Sequence, residues 1–288
     1  MLKTRASLRS AAFTACAFLL LAAFATARDR EGSLKEEFHH TYPLSANGRV
    51  ELDNINGSVH IAAWDRNEVQ VDAVKSANSQ ERLQEAKIEI ESSTNVLSII
   101  TKYPDHNMTF NDWGRDNPAN VEYTLTVPRS ARLDEIKLIN GSLDVSGVTG
   151  EVRANCINGR LTATDLTGEL KLETINGRLE ATFSKVGRSV ELSSVNGHVD
   201  AVLPSDANAE FEASTVSGSI HNDFGLPVNN HRFIGHEMRA QLGNGSARLR
   251  LNNVNGSIEI RRANDNRQLS PAKSLNGQSD DKDDDDEI

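Results

Sequence analysis

The sequence predicts an all-β fold, and three observations lead to this prediction. Asn-Gly dipeptides occur nine times in 288 residues, whereas random pairing of Asn with Gly would give about two. The residues that flank them alternate between apolar and polar, which is typical of half-buried strands. A helical pattern is confined to the short segment 79–87, SQERLQEAK. We therefore predict short strands joined by glycine turns, with one short helix.

The N-terminus has the pattern of a secretory signal. Three basic residues precede an apolar run over 11–25, and Ala25-Thr26-Ala27 follows as a small-residue cleavage site. The run is shorter than the roughly 20 residues of a spanning helix, although a retained anchor is the alternative. We predict a signal peptide over 1–27 and an exported chain, in the periplasm, at the cell surface or outside the cell, without a transmembrane span after cleavage.

The body of the chain, residues 28–263, is predicted to be one β-strand-repeat domain in three parts. Its irregular first half, 34–130, contains alternating segments such as GRVEL, EVQVDAV and VEYTLTVP. Regular repeats follow over 131–222. The end, 223–263, is interrupted by a predicted loop over 223–241.

The regular repeats have a nearly constant length. From Asn140 the Asn-Gly dipeptides recur after 18, 18 and 20 residues, in the units LINGSLDV, CINGRLTA, TINGRLEA and SVNGHVDA. A related unit, TVSGSIHN, follows, and the outliers NINGSVHI and NVNGSIEI lie before and after the run. Each unit reads as turn, strand, turn, strand.

Two architectures fit these units. Asn-Gly between alternating apolar residues favours an antiparallel meander of hairpins. A single-stranded β-solenoid of 18- to 21-residue repeats is favoured by the constant unit length, and by the Ile or Val before each Asn, which we expect to turn inward at a corner. In the solenoid the Asn side chains stack as a structural turn ladder. The predicted ladder comprises Asn140, Gly141, Asn158, Gly159, Asn176, Gly177, Asn196 and Gly197.

Charge is concentrated in the C-terminal segment. The chain carries a net charge of −10, and the last nine residues hold seven acids and one Lys. A nucleic-acid partner is excluded, because such a partner requires clustered Lys and Arg. We predict a disordered acidic tail over 264–288.

No catalytic or metal-binding pattern stands out. Stacking would align Glu180 and Asp200 in an outward acidic column, which could act as an acid and base pair or bind Ca²⁺. Arg178 lies beside Glu180 in sequence, so a charge-compensated face is the preferred interpretation. Cys156 occupies the slot that Thr174 fills in the next unit, which indicates packing rather than nucleophilic chemistry. We predict no enzyme activity, no metal and no cofactor.

The segment 103–120 is the most irregular part of the body. It contains Phe110 and Trp113 among several Asp and Asn residues. Exposed aromatic rings on a long loop commonly contact partners. We predict a binding role for these two residues, toward an envelope protein or a glycan.

The strings LDNINGSVHIAAWDRNEVQVDA and VEYTLTVP and the INGRL units resemble the bacterial "putative adhesin" or toastrack-type β-strand-repeat family, the DUF4097 group. The resemblance covers roughly residues 38–262. It implies a β-helix-like, non-catalytic module of exported or membrane-attached envelope proteins. The expected function is therefore an adhesin-like or structural interaction module. A carbohydrate-active β-helix enzyme and an envelope-stress sensor component are the alternatives.

Overall fold

The computed structural model describes residues 33–104, 118–230 and 235–276. Within these ranges the regular secondary structure is almost entirely β-strand, which confirms the predicted fold class. The strands are β1 (Leu34–Pro43), β2 (Arg49–Asn56), β3 (Val59–Trp64), β4 (Glu68–Ala77), β5 (Lys87–Ser92), β6 (Val96–Lys102), β7 (Asn120–Pro128), β8 (Arg132–Asn140), β9 (Leu143–Ser146), β10 (Val152–Asn158), β11 (Leu161–Thr164), β12 (Leu170–Thr182), β13 (Ser189–Leu203), β14 (Ala209–Ser217), β15 (Ile220–Asn222), β16 (Asn229–Asn230), β17 (His236–Leu242), β18 (Ala247–Asn255), β19 (Ile258–Arg262) and β20 (Ala272–Ser274).

The described helix, α1 (Gln80–Glu85), lies where the sequence predicts it. Ser79 is its N-cap and accepts a hydrogen bond from the backbone N–H of Arg82 at 3.3 Å. This bond satisfies one of the amide groups that have no partner in the first turn of a helix. Leu83 is the buried residue that attaches the helix to the body.

The strands that precede the Asn-Gly corners form one stack, together with the neighbouring strands at its two ends. Its order is β5, β6, β2, β8, β10, β12, β13, β18, β14 and β17, and both β16 and β20 pair with the outer edge of β17. All pairs from β6 to β14 are parallel, and the Asn residues of successive corners lie opposite one another. A one-residue bulge in β8, where Glu135 has φ of 58°, is absorbed without shifting that alignment.

The strands that follow the corners form a second stack, in the order β1, β4, β7, β3, β9, β11, β12, β13, β19 and β15. Pairs from β7 onward are parallel, and the two that involve β4 are antiparallel. The long strands β12 and β13 contribute to both stacks because each continues through its corner.

The predicted alternative, an antiparallel meander of Asn-Gly hairpins, is wrong for the repeats. The strands on either side of Asn158-Gly159 pair with different neighbours: β10 with β8 and β12, and β11 with β9 and β12. The Asn-Gly corner therefore directs the chain from one stack to the other. A two-residue hairpin would instead fold the chain back on itself.

The spatial order of the units differs from their order in the chain. The unit at Asn255 lies between those at Asn196 and Ser217, because β18 and β19 pair with β13 on one side and with β14 and β15 on the other. The unit at Asn56 lies next to that at Asn140. Both outlying units therefore join the regular run. The unit at Asn56 lies at its start, and the unit at Asn255 lies between its last two members.

The core lies between the two stacks and consists of columns of equivalent aliphatic residues. One column consists of the residues two positions after each corner Gly. A second column consists of the first inward residues of the strands that lead into the corners. Period-two alternation turns both sets inward, where they bury apolar area without large aromatic rings. The first column consists of Val59, Leu143, Leu161, Leu179, Val199, Ile258 and Ile220, all buried.

Two predicted boundaries need correction. Residues 264–276 belong to the ordered structure: β20 pairs with β17, and Asp265 accepts a hydrogen bond from the backbone N–H of Ser205 at 3.0 Å. The open edge of β17 orders this part of the predicted acidic tail. The predicted loop over 223–241 also contains β16 and all of β17 except Leu242. Among the described residues, no helix has the length and apolarity needed to cross a membrane.

Candidate functional site

The corners carry a continuous ladder of Asn side chains on the outer surface. Six residues take part, and each Asn except Asn56 donates from Nδ2 to Oδ1 of its neighbour. The predicted members Asn140, Asn158, Asn176 and Asn196 are extended by Asn56 at one end and Asn255 at the other. The distances are 2.9 Å for Asn140 to Asn56, 2.9 Å for Asn158 to Asn140, 2.9 Å for Asn176 to Asn158, 3.0 Å for Asn196 to Asn176 and 2.8 Å for Asn255 to Asn196.

A half-buried tyrosine continues the ladder at its first end. Asn56 hydrogen-bonds to the hydroxyl of Tyr103, which in turn donates to the backbone carbonyl of Ala119 at 2.8 Å. Burial raises the pKa of Tyr103 to about 12, so its hydroxyl keeps its proton at neutral pH. Sequence reasoning missed Tyr103, because no repeat places a Tyr at this position. Asn56 and Asn255 could have been found from their NINGSVHI and NVNGSIEI strings.

The corner glycines are required because neighbouring backbones approach closely. A Cβ on Gly177, whose φ is +157°, would lie 1.7 Å from the carbonyl oxygen of Gly159. At Gly197 the corresponding distance to the Gly177 carbonyl oxygen is also 1.7 Å. Contacts this short exclude any side chain. Gly therefore follows Asn at the corner to permit the stacking.

At some corners the inward side carries a small donor that bonds to a neighbouring backbone carbonyl. Asn253 Nδ2 donates to Gly197 O at 2.8 Å, and Thr215 Oγ1 donates to Gly256 O at 3.1 Å. Cys156 occupies the same slot, with its Sγ 3.4 Å from Gly141 O. Its side chain is fully buried, and burial raises the pKa of the thiol to about 11. A neutral, enclosed thiol is a poor nucleophile.

The aliphatic residues before each corner Asn point outward, which corrects the prediction that they turn inward. Five of them are 37 to 52% exposed, and the other two are half-buried. In strand alternation they occupy the outer face because the preceding residue, such as Cys156, faces the core. Register places them next to one another along the full set of corners. This surface, the aliphatic ridge, consists of Ile55, Ile139, Ile157, Ile175, Val195, Val254 and Val216.

The predicted acidic column contains one residue that the sequence did not indicate. Glu180 and Asp200 are neighbours as predicted, but Glu259 lies between Asp200 and His221. Arg178 contacts both Glu180 and Asp200 at 3.4 Å, which supports the charge-compensated interpretation. Burial and the nearby carboxylate of Glu259 raise the pKa of Asp200.

Phe110 and Trp113 lie outside the described residues. His39 pairs with Asp72 at 2.8 Å on an exposed strand. Within 33–104, 118–230 and 235–276, no group of three or more His, Cys, Asp or Glu side chains could hold a metal ion.

Comparisons with known proteins found one matching family model and several similar solved structures. No curated protein matches the chain. A "putative cell adhesion protein" from Clostridium sporogenes is 13% identical, with 79% of this chain and all of that chain covered and a TM-score of 0.46. A "putative adhesin" from Bacteroides fragilis is also 13% identical, with 79% and 97% covered and a TM-score of 0.37. Residues 151–261 match the family model described as Toastrack DUF4097, which confirms the family resemblance seen in the repeats.

Proposed function

We propose that this protein is an exported, non-catalytic, adhesin-like module of the cell envelope that binds a protein partner through the aliphatic ridge. The observation that carries the proposal is the exposure of seven stacked Ile and Val side chains on one line. Contiguous exposed apolar surface on a soluble domain usually marks an interaction site. The signal pattern at 1–27 supports export.

The chemistry of the ridge favours a protein over a glycan. Seven corners spaced about 4.8 Å apart give a line about 29 Å long. Its members are β-branched aliphatics, which pack against apolar side chains, whereas sugars are usually held by aromatic rings and polar groups. The adjoining Asn amides bond to each other, so the ridge has a neutral border. An extended apolar segment of a partner protein therefore matches this surface.

The stacking also supports a finer proposal about the fold. The repeats from Asn140 to Asn196 each add one strand to both stacks and return one step further along, which is the path of a single-stranded β-solenoid. Cross-strand nuclear Overhauser contacts between the backbone protons of Asn158 and Asn176 would test this path. Their absence would contradict it.

The binding proposal is tested with the double variant Ile175→Ser and Val195→Ser. Both side chains are exposed, so Tm should be unchanged while binding to an isolated envelope protein fraction weakens by about tenfold or more. Ile100→Ser is the matched control, because Ile100 is equally exposed but lies outside the ridge. Equal binding by the double variant and the control would rule out the ridge. Loss of binding after removal of glycans, but not after proteolysis of the fraction, would replace the protein partner with a sugar.

The binding role predicted for the aromatic residues of segment 103–120 has a separate test. Phe110→Ala combined with Trp113→Ala should weaken binding without lowering Tm if these rings contact the partner. Unchanged binding by this variant would leave the ridge as the binding surface. Both sets of measurements use the same envelope fraction, so the two surfaces can be ranked directly.

A further inference from the structure

Strand β1 is a long edge of the second stack. It has ten residues and pairs along its whole length with β4, from Leu34 opposite Ala77 to Pro43 opposite Glu68. Among the described strands, none pairs with its other edge. An edge of this length presents a row of backbone donors and acceptors that another strand can satisfy. The question is which strand it fits.

The two faces of β1 differ in character. Phe38 and Tyr42 lie on the core side, half-buried against the apolar core, and His40 stacks between them with ring centroids 6.3 and 4.5 Å away. On the same face, Glu36 contacts Lys75 at 2.9 Å, yet 53% of its side chain is exposed. A strand added beside β1 would cover the exposed flanks of Phe38 and Tyr42. The core-side face would then continue across the new pair.

The sequence of β1 is complementary to itself. When two copies of a strand pair antiparallel about a twofold axis perpendicular to the sheet, only residues of the same face come opposite one another. With the axis through Phe38, each carboxylate faces an imidazole and the central pair is apolar. The pairs are Phe38 with Phe38, Glu37 with His39, Glu36 with His40, Lys35 with Thr41, and Leu34 with Tyr42.

Neighbouring registers lose this match. With the axis through Glu37, that carboxylate faces its own copy and Glu36 faces Phe38. With the axis through His39, the imidazole faces its own copy and Glu37 faces Thr41. Like charges directly opposite destabilise a strand pair, whereas apolar and opposite-charge pairs stabilise it. Charge complementarity therefore selects the Phe38-centred register.

The other long single-sided edge fits less well. Strand β5 pairs only with β6 among the described strands and has six residues, KIEIES. A twofold axis through Glu89 engages five of its residues and pairs Lys87 with Glu91, but it places Glu89 opposite its own copy, whereas an axis through Ile88 avoids that contact and engages only three residues. A shorter strand with a central carboxylate pair offers less backbone pairing and a repulsive centre. The comparison favours β1.

We propose that β1 is a homodimerisation edge, at which a second copy of this chain adds its own β1 antiparallel in the register centred on Phe38. The dimer joins the second stacks of the two copies into one continuous sheet. Each copy keeps its aliphatic ridge exposed on the other stack. The proposal does not depend on what the ridge binds.

The test changes the charge at His40 in the full chain. His40 is exposed, lies opposite Val71 within its own subunit and faces Glu36 of the second copy in the dimer. His40→Glu places like charges opposite each other at two symmetric positions and should raise the dimer dissociation constant about 3- to 10-fold, and His40→Lys should lower it by a similar factor. Sedimentation equilibrium from low micromolar to near-millimolar concentration measures both.

The matched controls are His221→Glu and His221→Lys. They make the same charge changes on exposed strand β15, at the far end of the second stack. We expect both controls to dimerise like the unaltered chain, and the His40 variants to share its Tm at low concentration. His221→Glu places a carboxylate opposite Glu259, so it should lower Tm without changing dimerisation. A monomer at every concentration would overturn the proposal. A dimer that responds equally to substitutions at His40 and His221 would overturn it as well, because the interface would then lie elsewhere.

Discussion

At the scale of single residues, Asp200 shows how an unexpected neighbour changes a carboxyl group. Its side chain is only 4% exposed and lies beside Glu259, with Arg178 at 3.4 Å and Arg261 at 4.0 Å. Its pKa is raised above the usual 3.8, first by burial and then by Glu259. A raised folded-state pKa means that the ionised form disfavours folding. This penalty is fully present above the folded-state pKa and disappears below the unfolded value.

We therefore expect Asp200→Asn to increase the free energy of unfolding at pH 7. The gain over the unaltered protein should shrink as the pH falls and vanish below the unfolded-state pKa of Asp200. Urea unfolding of both proteins, compared at each pH, measures it. Asp144→Asn in the same column, where the side chain is 41% exposed, should give no such gain. A less stable Asp200→Asn protein at pH 7 would show that the two Arg contacts outweigh burial and repulsion.

Whether a side chain points toward the core or toward solvent was predictable only where strand alternation is the one rule that applies. The slot of Cys156 was identified as a packing position by comparison with Thr174, and the structure places a buried thiol there. The outward orientation of Ile175 was not predicted, because two opposing rules apply to this side chain. Hydrophobicity favours an inward side chain, but alternation from buried Thr174 turns the next residue outward. Backbone geometry prevails at these corners.

At the scale of elements, the Asn ladder should stabilise the stacked strands. Asn176→Ala removes two amide hydrogen bonds, to Asn158 and from Asn196. Such bonds contribute about 0.5–1.5 kcal/mol each, so the free energy of unfolding should fall by about 1–3 kcal/mol. Chemical denaturation measures the change. Asn47→Ala is the control, because Asn47 precedes Gly in a turn outside the ladder and should cost less than about 0.5 kcal/mol. Equal losses in both variants would mean that the ladder adds nothing.

The sequence predicted the strands but not their spatial order. Six of the nine Asn-Gly dipeptides lie in the ladder, those at Asn47 and Asn244 lie in other turns, and the ninth, at Asn276, extends beyond the described residues. Unit length does not reveal that the unit at Asn255 enters between two earlier ones. That order depends on β17, which pairs antiparallel with β14 and lets the chain return to the open edge of β13. Such long-range pairing leaves no local signal in the sequence.

At the scale of the whole molecule, the late strands β18 and β19 hold the last units together. They lie between β13 on one side and β14 and β15 on the other. A chain that ends at residue 244 should therefore lose protection from hydrogen exchange throughout β14 and β17. A chain that ends at residue 263 loses β20 and its flanking residues but keeps β18 and β19, so β14 should keep its protection. Equal protection of β14 in the two truncated chains would contradict this role.

The fold class was predictable because alternation and glycine turns are local properties. The two-stack arrangement was not, since it depends on which strands meet across the core. The order of residues 264–276 was also missed, because composition indicates a solvated tail while the edge of β17 provides a partner. The outward face of the molecule, with its ridge and its charged columns, follows from the stacking and not from any single motif.

The amide ladder also has a direction. Every amide dipole along the corners points the same way, and Tyr103 passes this polarity to the carbonyl of Ala119. Reversing one amide would bring two donors or two acceptors together, so the side chains can only reverse collectively. Aligned hydrogen bonds of this kind strengthen one another. The array therefore acts as a single dipole. Its direction is fixed at one end by the backbone carbonyl of Ala119, and at the other end the array terminates in the amide oxygen of Asn255.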